Sequence, residues 1–424
     1  MMKTFKPTQH VKKEEEKHMY SIGIDCAKGK STACIIATET GELIMSSRDY
    51  EHTEGDLEKL YETIGKLTGS KDVRVVMEAT GIYHWPVLSF LKGKGLFVSV
   101  INPLKMKLFA KNCNFRGIKT DRHDALVIAS YGAEKWFTLK DYAIKQDETR
   151  EKLRSLSRVY ESFQKPKIVL KQNLDSQLEK IMPGIKKIIT EDERLYDFIE
   201  CFNHFDNISK LSEAKFTERL NRLAKKKGYR YQRYTPTKIY KLAESAIPTI
   251  AFNDECALIN ASLISSLRAI DEGLKDILTR LNELASSLPE YETLLAMKGV
   301  GYTLAPLIIA EIGDIRLYRS KKSLISMAGI DVPPYESGQF KASHRTITKK
   351  GNSHIRRHLY LVMTSLIMTK PKTDTAVYDF MVKKKAEGKP EKQVRVAGMR
   401  KFLHIYYARV KEKYKELDIW DKKQ

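Results

Sequence analysis

Four acids stand where the pattern around them makes them candidates for chemistry. Asp25 closes the apolar run Tyr20–Ile24 just before a Cys-Ala-Lys-Gly turn, and Glu78 closes the apolar run Val73–Met77. Asp121 and Asp124 lie three apart at the start of a helical stretch, so both project from one helix face. Acids ending two strands, with a helical pair beside them, make a cage for hard divalent cations. Mg2+ prefers carboxylate oxygens and keeps waters, and two such ions can activate a nucleophile and stabilise a leaving oxygen on phosphate. Mn2+ is able to substitute. Taken singly, Asp25 also reads as a turn residue, Asp121 as a helix N-cap and Glu78 as an ion-pair partner for Lys or Arg. Taken together, in one α/β domain, the metal site is the better reading. Lys119, Arg122 and His123 are placed to contact phosphate near it. The sequence has no Gly-rich loop ending in Lys-Ser/Thr, so ATP use is not indicated.

A second constellation runs from Ser323 to Arg357, SLISMAGIDVPPYESGQFKASHRTITKKGNSHIRR. Ser337 falls in a Tyr-Glu-Ser-Gly turn after two prolines. Lys341, His344, Arg345, Lys349, Lys350, Arg356 and Arg357 follow it. A serine among cations can attack a phosphodiester, because positive charge favours the alkoxide and stabilises the pentacovalent oxygens. The plainer reading is a turn serine on a phosphate-binding surface, and Ser343 and Ser353 lie close enough to compete for the role.

The elements that must position these groups follow from periodicity. Residues 1–17 read as a charged tail. Three antiparallel strands are predicted across MYSIGIDCAKGKSTACIIATETGELIMSSRDY, from its alternating apolar runs and its GK and TGE turns. A helix over Gly55–Leu67, a strand at Val73–Met77, a helix from about Tyr83 to Lys92, a strand at Phe97–Ile101 and a helix over Asp121–Ala133 complete an α/β domain with a mixed sheet, residues 18–140. Residues 141–288 are helical. Leu263, Leu267, Ile270, Leu274, Ile277, Leu281, Leu284 and Leu288 alternate spacings of four and three, which predicts a coiled coil over 263–288. Leu153–Ile181, interrupted by Pro166, is a candidate partner within the chain; a second copy is the other. The segment 185–250 is helical and basic without an assigned role, and YRYQRYTPT (Tyr229–Thr237) could stack on bases or be an exposed loop. Residues 289–424 form a basic C-terminal domain, opening with helical halves about Gly299-Val300-Gly301, a turn able to offer backbone N–H groups to phosphate.

At 424 residues the chain should hold two or three domains. Its 75 Lys+Arg against 53 Asp+Glu leave +22, favouring a polyanionic partner. Residues 338–424 contain 22 Lys+Arg against 8 Asp+Glu, so most of the surplus lies in the last fifth, as a nucleic-acid footprint would. Five scattered cysteines without CxxC argue against zinc knuckles and disulfides, and for a reducing compartment. The first residues have no apolar core, and the longest apolar run (Leu359–Met368) is half a membrane span, so an intracellular chain is expected.

The spacing IGIDCAKGK, VVMEATGIYHWPV, INPLKMKLFAK and KTDRHDALVIASY resembles the N-terminal DEDD domain of the IS-one-ten family of insertion-sequence transposases, which includes Piv/MooV-type DNA invertases. The later run LLAMKGVGYTLAPLIIAEIGDI, SLISMAGIDVPPYESGQ and ITKKGNSHIRRHL resembles that family's C-terminal transposase domain. The resemblance covers most of residues 19–365. It implies a RuvC-like, RNase H-type fold for the α/β domain, with the DEDD carboxylates on Asp25, Glu78, Asp121 and Asp124. It implies a nucleophilic serine at Ser337 that becomes linked to DNA while the metal-bound carboxylates assist. The expected partners are DNA (element ends and target), further copies forming dimers or tetramers through the coiled coil, and, as in some members, an element-encoded guide (bridge) RNA. The expected setting is the prokaryotic cytoplasm, on the nucleoid when acting. Two rivals stand beside this reading: a Holliday-junction-type RuvC-like endonuclease that only hydrolyses, and a non-catalytic nucleic-acid-binding scaffold.

Overall fold

The computed structural model describes residues 19–69, 72–79, 81–112, 120–142, 147–333, 336–337, 340–341 and 346–417. The chain divides into two compact units, residues 1–146 and 147–424.

In the first unit β1 (Tyr20–Cys26), β2 (Lys30–Ala37) and β3 (Leu43–Glu51) form the expected antiparallel meander. After α1 (Glu54–Thr68), β4 (Val73–Glu78) pairs parallel with β1. After α2 (Trp85–Gly93), β5 (Phe97–Ile101) pairs parallel with β4. The sheet order is β3-β2-β1-β4-β5, a mixed five-stranded sheet. Then come α3 (Pro103–Asn112) and α4 (Asp121–Glu134). Side chains alternate across a strand, so the two faces of the sheet carry different loads. Ile22, Ile24, Val75 and Met77 pack with Leu57, Leu60, Leu88 and Leu91 of α1 and α2. The opposite face takes α4, where Cys34 and Ile36 meet Ala125 and Ala129.

Two glycines set how closely α4 approaches. A Cβ on Gly23 would lie 2.1 Å from the Ala125 carbonyl oxygen, and one on Gly132 would lie 2.2 Å from Ser21 Oγ. Ser21 Oγ also donates to the Ala129 carbonyl at 2.7 Å, pinning the helix to β1.

The second unit is built on two long helices, α5 (Glu148–Ile181) and, after α6 (Asp192–Phe202), α7 (Phe205–Ser209), α8 (Glu213–Lys227) and α9 (Thr235–Ser245), α10 (Asp254–Ser286). They run antiparallel against one another. Leu153 shares a core with Leu281 and Ala285, Phe163 lies against Gly273, Lys167 pairs with Asp271, and Leu174 shares a core with Ile264 and Leu267. Leu267, Leu274 and Leu281 of the heptad pattern are fully or nearly fully buried, and Leu263, Ile270, Ile277, Leu284 and Leu288 are partly buried. This packing is within one chain. Pro166, expected to interrupt α5, lies inside a continuous helix. The contacts of Phe163 and Lys167 on either side of it brace the turn where the proline removes a backbone donor.

Helices α6–α9 form a core at one end of the pair, with Phe198, Phe202, Phe205 and Phe216 buried. Tyr229 donates to Asp197 and Tyr231 packs on this core, which leaves Tyr234 as the exposed ring of YRYQRYTPT. At the other end α11 (Glu290–Ala296), α12 (Leu304–Ile312), α13 (Lys321–Ala328), the hairpin β6 (Glu336–Ser337) and β7 (Phe340–Lys341), α14 (Ser353–Thr369), α15 (Ala376–Ala386) and α16 (Glu391–Glu416) follow. A Cβ on Gly299 would meet Leu366 at 2.8 Å, so this glycine lets the α11–α12 turn seat against α14. At the heart of the cluster the Arg150 guanidinium donates to Glu290 (2.6 Å), Tyr414 Oη (2.8 Å), the Gly313 carbonyl (2.9 Å) and Asp147 (2.9 Å). Among the described residues no helix is long and apolar enough to cross a membrane, and Cys26, Cys34, Cys201 and Cys256 are free thiols.

Candidate active site

The four acids come together because strand register and helix docking agree. β1 and β4 are parallel with Ile24 opposite Met77, so Asp25 and Glu78 leave the sheet side by side. Asp25 shares a face with Gly23, and Glu78 with Val76, whose side chain lies where a Cβ on Gly132 would go. Both carboxylates are therefore on the face covered by α4. That helix runs opposite to β1, with Ala125 over Gly23 and Gly132 over Ser21, so its first turn, bearing Asp121 and Asp124, lies at the ends of the strands.

The electrostatics record this convergence. Burial first, then the fields of Asp124, Asp121 and Glu78, push the Asp25 carboxyl up to about 6, against a small opposing effect of a hydrogen bond from the Cys26 backbone. Glu78 is raised by its own burial and by Asp124. Among the described residues two of the ordinary structural roles are not taken up. Thr120, not Asp121, caps α4, accepting from the His123 N–H. Glu78 makes no ion pair with a described Lys or Arg.

Sequence reasoning missed three members of this neighbourhood. Lys30 Nζ stands 3.7 Å from Asp121 and 3.8 Å from Asp49, and Thr32, the cross-strand partner of Asp25, donates to Asp49 at 2.7 Å. The register Asp25–Thr32–Asp49 across three strands was the available signal. Lys30 and Asp121 are each about half exposed, which makes their attraction weak and easily displaced.

An acid whose charge is penalised by three others is one that a divalent cation would relieve, so this donor set suits a hard, oxygen-seeking ion. As placed, no three His, Cys, Asp or Glu side chains among the described residues stand close enough to ligate one ion. The four acids are a gathered anionic patch and not a closed ligand shell.

In the second unit Ser337 lies on β6, its backbone paired with Phe340, and Glu336 paired with Lys341. The side chains of Ser337 and Lys341, and the whole of Lys119, Ser343, His344 and Arg345, lie outside the described residues. The base of this segment is firmly built. Thr348 N donates to the Asp331 carbonyl, Lys349 N to the Gly329 carbonyl (both 3.0 Å) and Asn352 N to the Met327 carbonyl (2.7 Å), so the returning strand runs alongside the outgoing one. Gly351 permits this, since a Cβ there would meet the Met327 oxygen at 2.3 Å.

Asn352 then caps α14 and donates its amide to Glu311 at 2.6 Å, while Arg158 of α5 donates to the same carboxylate at 2.9 Å. Of the predicted phosphate-binding cations, Arg356 donates to the Ala328 and Gly351 carbonyls, which makes it a brace for the turn. Lys349, Lys350 and Arg357 are exposed, as is Arg122 in the first unit. Ser353 is the first residue of α14 and is exposed.

Comparison with known proteins places both halves. Residues 22–183 match an IS110-type family model described as transposase, and residues 291–378 match a model described as transposase of the IS116/IS110/IS902 family. The chain is 24% identical to the pilin gene-inverting protein of Moraxella bovis, over 92% of this chain and 95% of that one. It is also 24% identical to the protein of the same name from Moraxella lacunata, with the same coverage. To an insertion element IS116 protein of Streptomyces clavuligerus it is 23% identical, over 92% and 94%. With both domain models matched in order, over more than half of its length together, this chain belongs to the IS110 (IS-one-ten) transposase family.

Proposed function

We propose that this transposase cuts and rejoins DNA by serine attack on a phosphodiester, assisted by divalent cations held by Asp25, Glu78, Asp121 and Asp124 in an α/β domain of RuvC-like, RNase H type. The observation that carries this reading is the convergence of Asp25 and Glu78, at neighbouring strand ends, with Asp121 and Asp124 on the first turn of α4, in a domain matched to a transposase family. When bound, Mg2+ would supply positive charge to the phosphate oxygens and lower the cost of the leaving alkoxide. The chain's own residues do the rest.

Ser337 Oγ forms a bond to phosphorus as one P–O bond to deoxyribose breaks, and the serine proton ends on the released sugar hydroxyl. Attack by a hydroxyl of another strand reverses these changes, rejoining DNA and restoring the serine. Lys349, Lys350 and Arg357, exposed at the base of the serine segment, neutralise phosphate charge, and Arg356 holds the turn that carries Lys349. Self-association through α5 belongs to the same proposal, since Val159, Phe163, Ile168 and Val169 remain 37–53% exposed along that helix. A guide RNA encoded beside the gene would supply target choice.

The test is to incubate the protein, with transcript from the flanking non-coding DNA, with labelled element-end DNA in Mg2+. The expected product is an adduct surviving denaturation, absent with Ser337→Ala and with Asp25→Ala. Strand joining by Ser337→Ala but not by Asp25→Ala would leave a metal-only mechanism. Nicks with no adduct would favour a junction-resolving hydrolase, and no DNA chemistry would favour a scaffold.

A further inference from the structure

Beside the serine segment the second unit carries an open cavity of about 830 Å3, bounded by Val332 and Thr346 on either side of that segment and by α14 and α16. Its volume falls within the range of about 300–1,000 Å3 usual for small-molecule sites. Lys349, Arg356, Arg357, Lys392 and Arg400 line it, and among the described residues no acid does. Apart from Thr346 and Gln393, the rest of its wall is apolar, with Ile330, Ile347, Val396, Ala397 and Met399. A surface meant only for duplex phosphates needs cations and no such wall.

Tyr360 completes the cavity, 43% exposed. The Arg395 guanidinium lies 4.7 Å from its ring centroid and is tied down by Thr364 Oγ1 at 2.6 Å. A fixed aromatic ring, an apolar wall and a rim of cations together match one chemical object: a nucleotide whose base is out of the stack, with its phosphate at the rim.

We propose that this cavity holds an unpaired DNA nucleotide extruded near the site of strand exchange, its base against Tyr360 and its phosphates on Lys392, Arg400 and Arg357. The inference rests on the DNA-processing reading above and adds a class of ligand to it. Extrusion beside the serine segment would expose the backbone at the adjoining phosphate, at a cost lowest where pairing is already broken.

The test is fluorescence anisotropy with the full chain and short labelled oligo-dT, a duplex of equal length and oligo-U. Tyr360→Ala should weaken oligo-dT binding roughly 5- to 100-fold, leave duplex binding unchanged and leave the salt dependence untouched. Tyr360→Phe should restore binding. Lys392→Ala and Arg400→Ala should each flatten the log–log salt slope for oligo-dT by about 0.7. If Tyr360→Ala weakens strand and duplex alike, or neither, the cavity is only a phosphate patch and this inference falls while the proposed function stands. If oligo-U binds more tightly than oligo-dT in a Tyr360-dependent way, the DNA assignment is wrong. If the native protein binds no DNA in either form, the proposed function falls as well.

Discussion

Asp25 carries the repulsion of three other acids, and the sign of its effect on stability follows from the upward shift. Its carboxyl rises from 3.8 to about 6 on folding. Between about pH 4 and 6 the folded chain retains a proton that the unfolded chain has released. Stability therefore falls as pH rises through that window and stays lower above it. Asp25→Asn should remove this cost, raising the melting temperature above pH 7 by about 2–4 °C, equivalent to roughly 1 kcal/mol after allowance for solvent screening. Mg2+ should raise the melting temperature of the native protein at pH 7.5, raise it less at pH 5, where protons compete, and leave Asp25→Asn unmoved. Scanning fluorimetry reads all three. A native melting temperature indifferent to Mg2+ would count against the metal site.

At the scale of elements, the patch depends on how closely α4 lies on β1. Gly23→Ala puts a methyl group into the Ala125 carbonyl, so helix and strand must part. The expected cost is about 1–3 kcal/mol from overpacking. Mg2+ affinity measured by calorimetry should fall with it, although Gly23 offers no ligand atom; unchanged affinity would separate the site from the docking.

The same elements show what could be read beforehand. The strands were legible because apolar runs end in turn residues, and Asp25 and Glu78 were legible because each closes such a run. Lys30 was hidden in what looked like a turn signal, since only three-strand register brings it to Asp121 and Asp49. Pro166 read as a break because propensity is local, whereas the contacts of Phe163 and Lys167 with α10 are not. The cavity could not be read at all. Its cations come from residues 349–357 and 392–400, on elements that adjoin only in the folded unit.

Over the whole second unit, Arg150 joins α5 to α11, to the end of α12 and to the last turns of α16. Glu290 is fully buried, so Arg150→Met would leave its charge uncompensated. The expected loss is about 3–5 kcal/mol, seen as a lower urea midpoint, with much of it recovered in Arg150→Met/Glu290→Gln. Equal midpoints for the single and double variants would show that the charge itself does not matter. The Arg150–Tyr414 hydrogen bond also joins residues 264 positions apart. On the ribosome, at about 5–20 residues per second, the start of α5 waits roughly 15–50 s for its last partner. Until then a buried-to-be arginine and the apolar side chains around it stay exposed to chaperones and proteases. A chain that lost α16 would therefore keep α5 packed on α10 and Arg150 bonded to Glu290 and Gly313, but would leave the guanidinium one partner short and the apolar face around it uncovered.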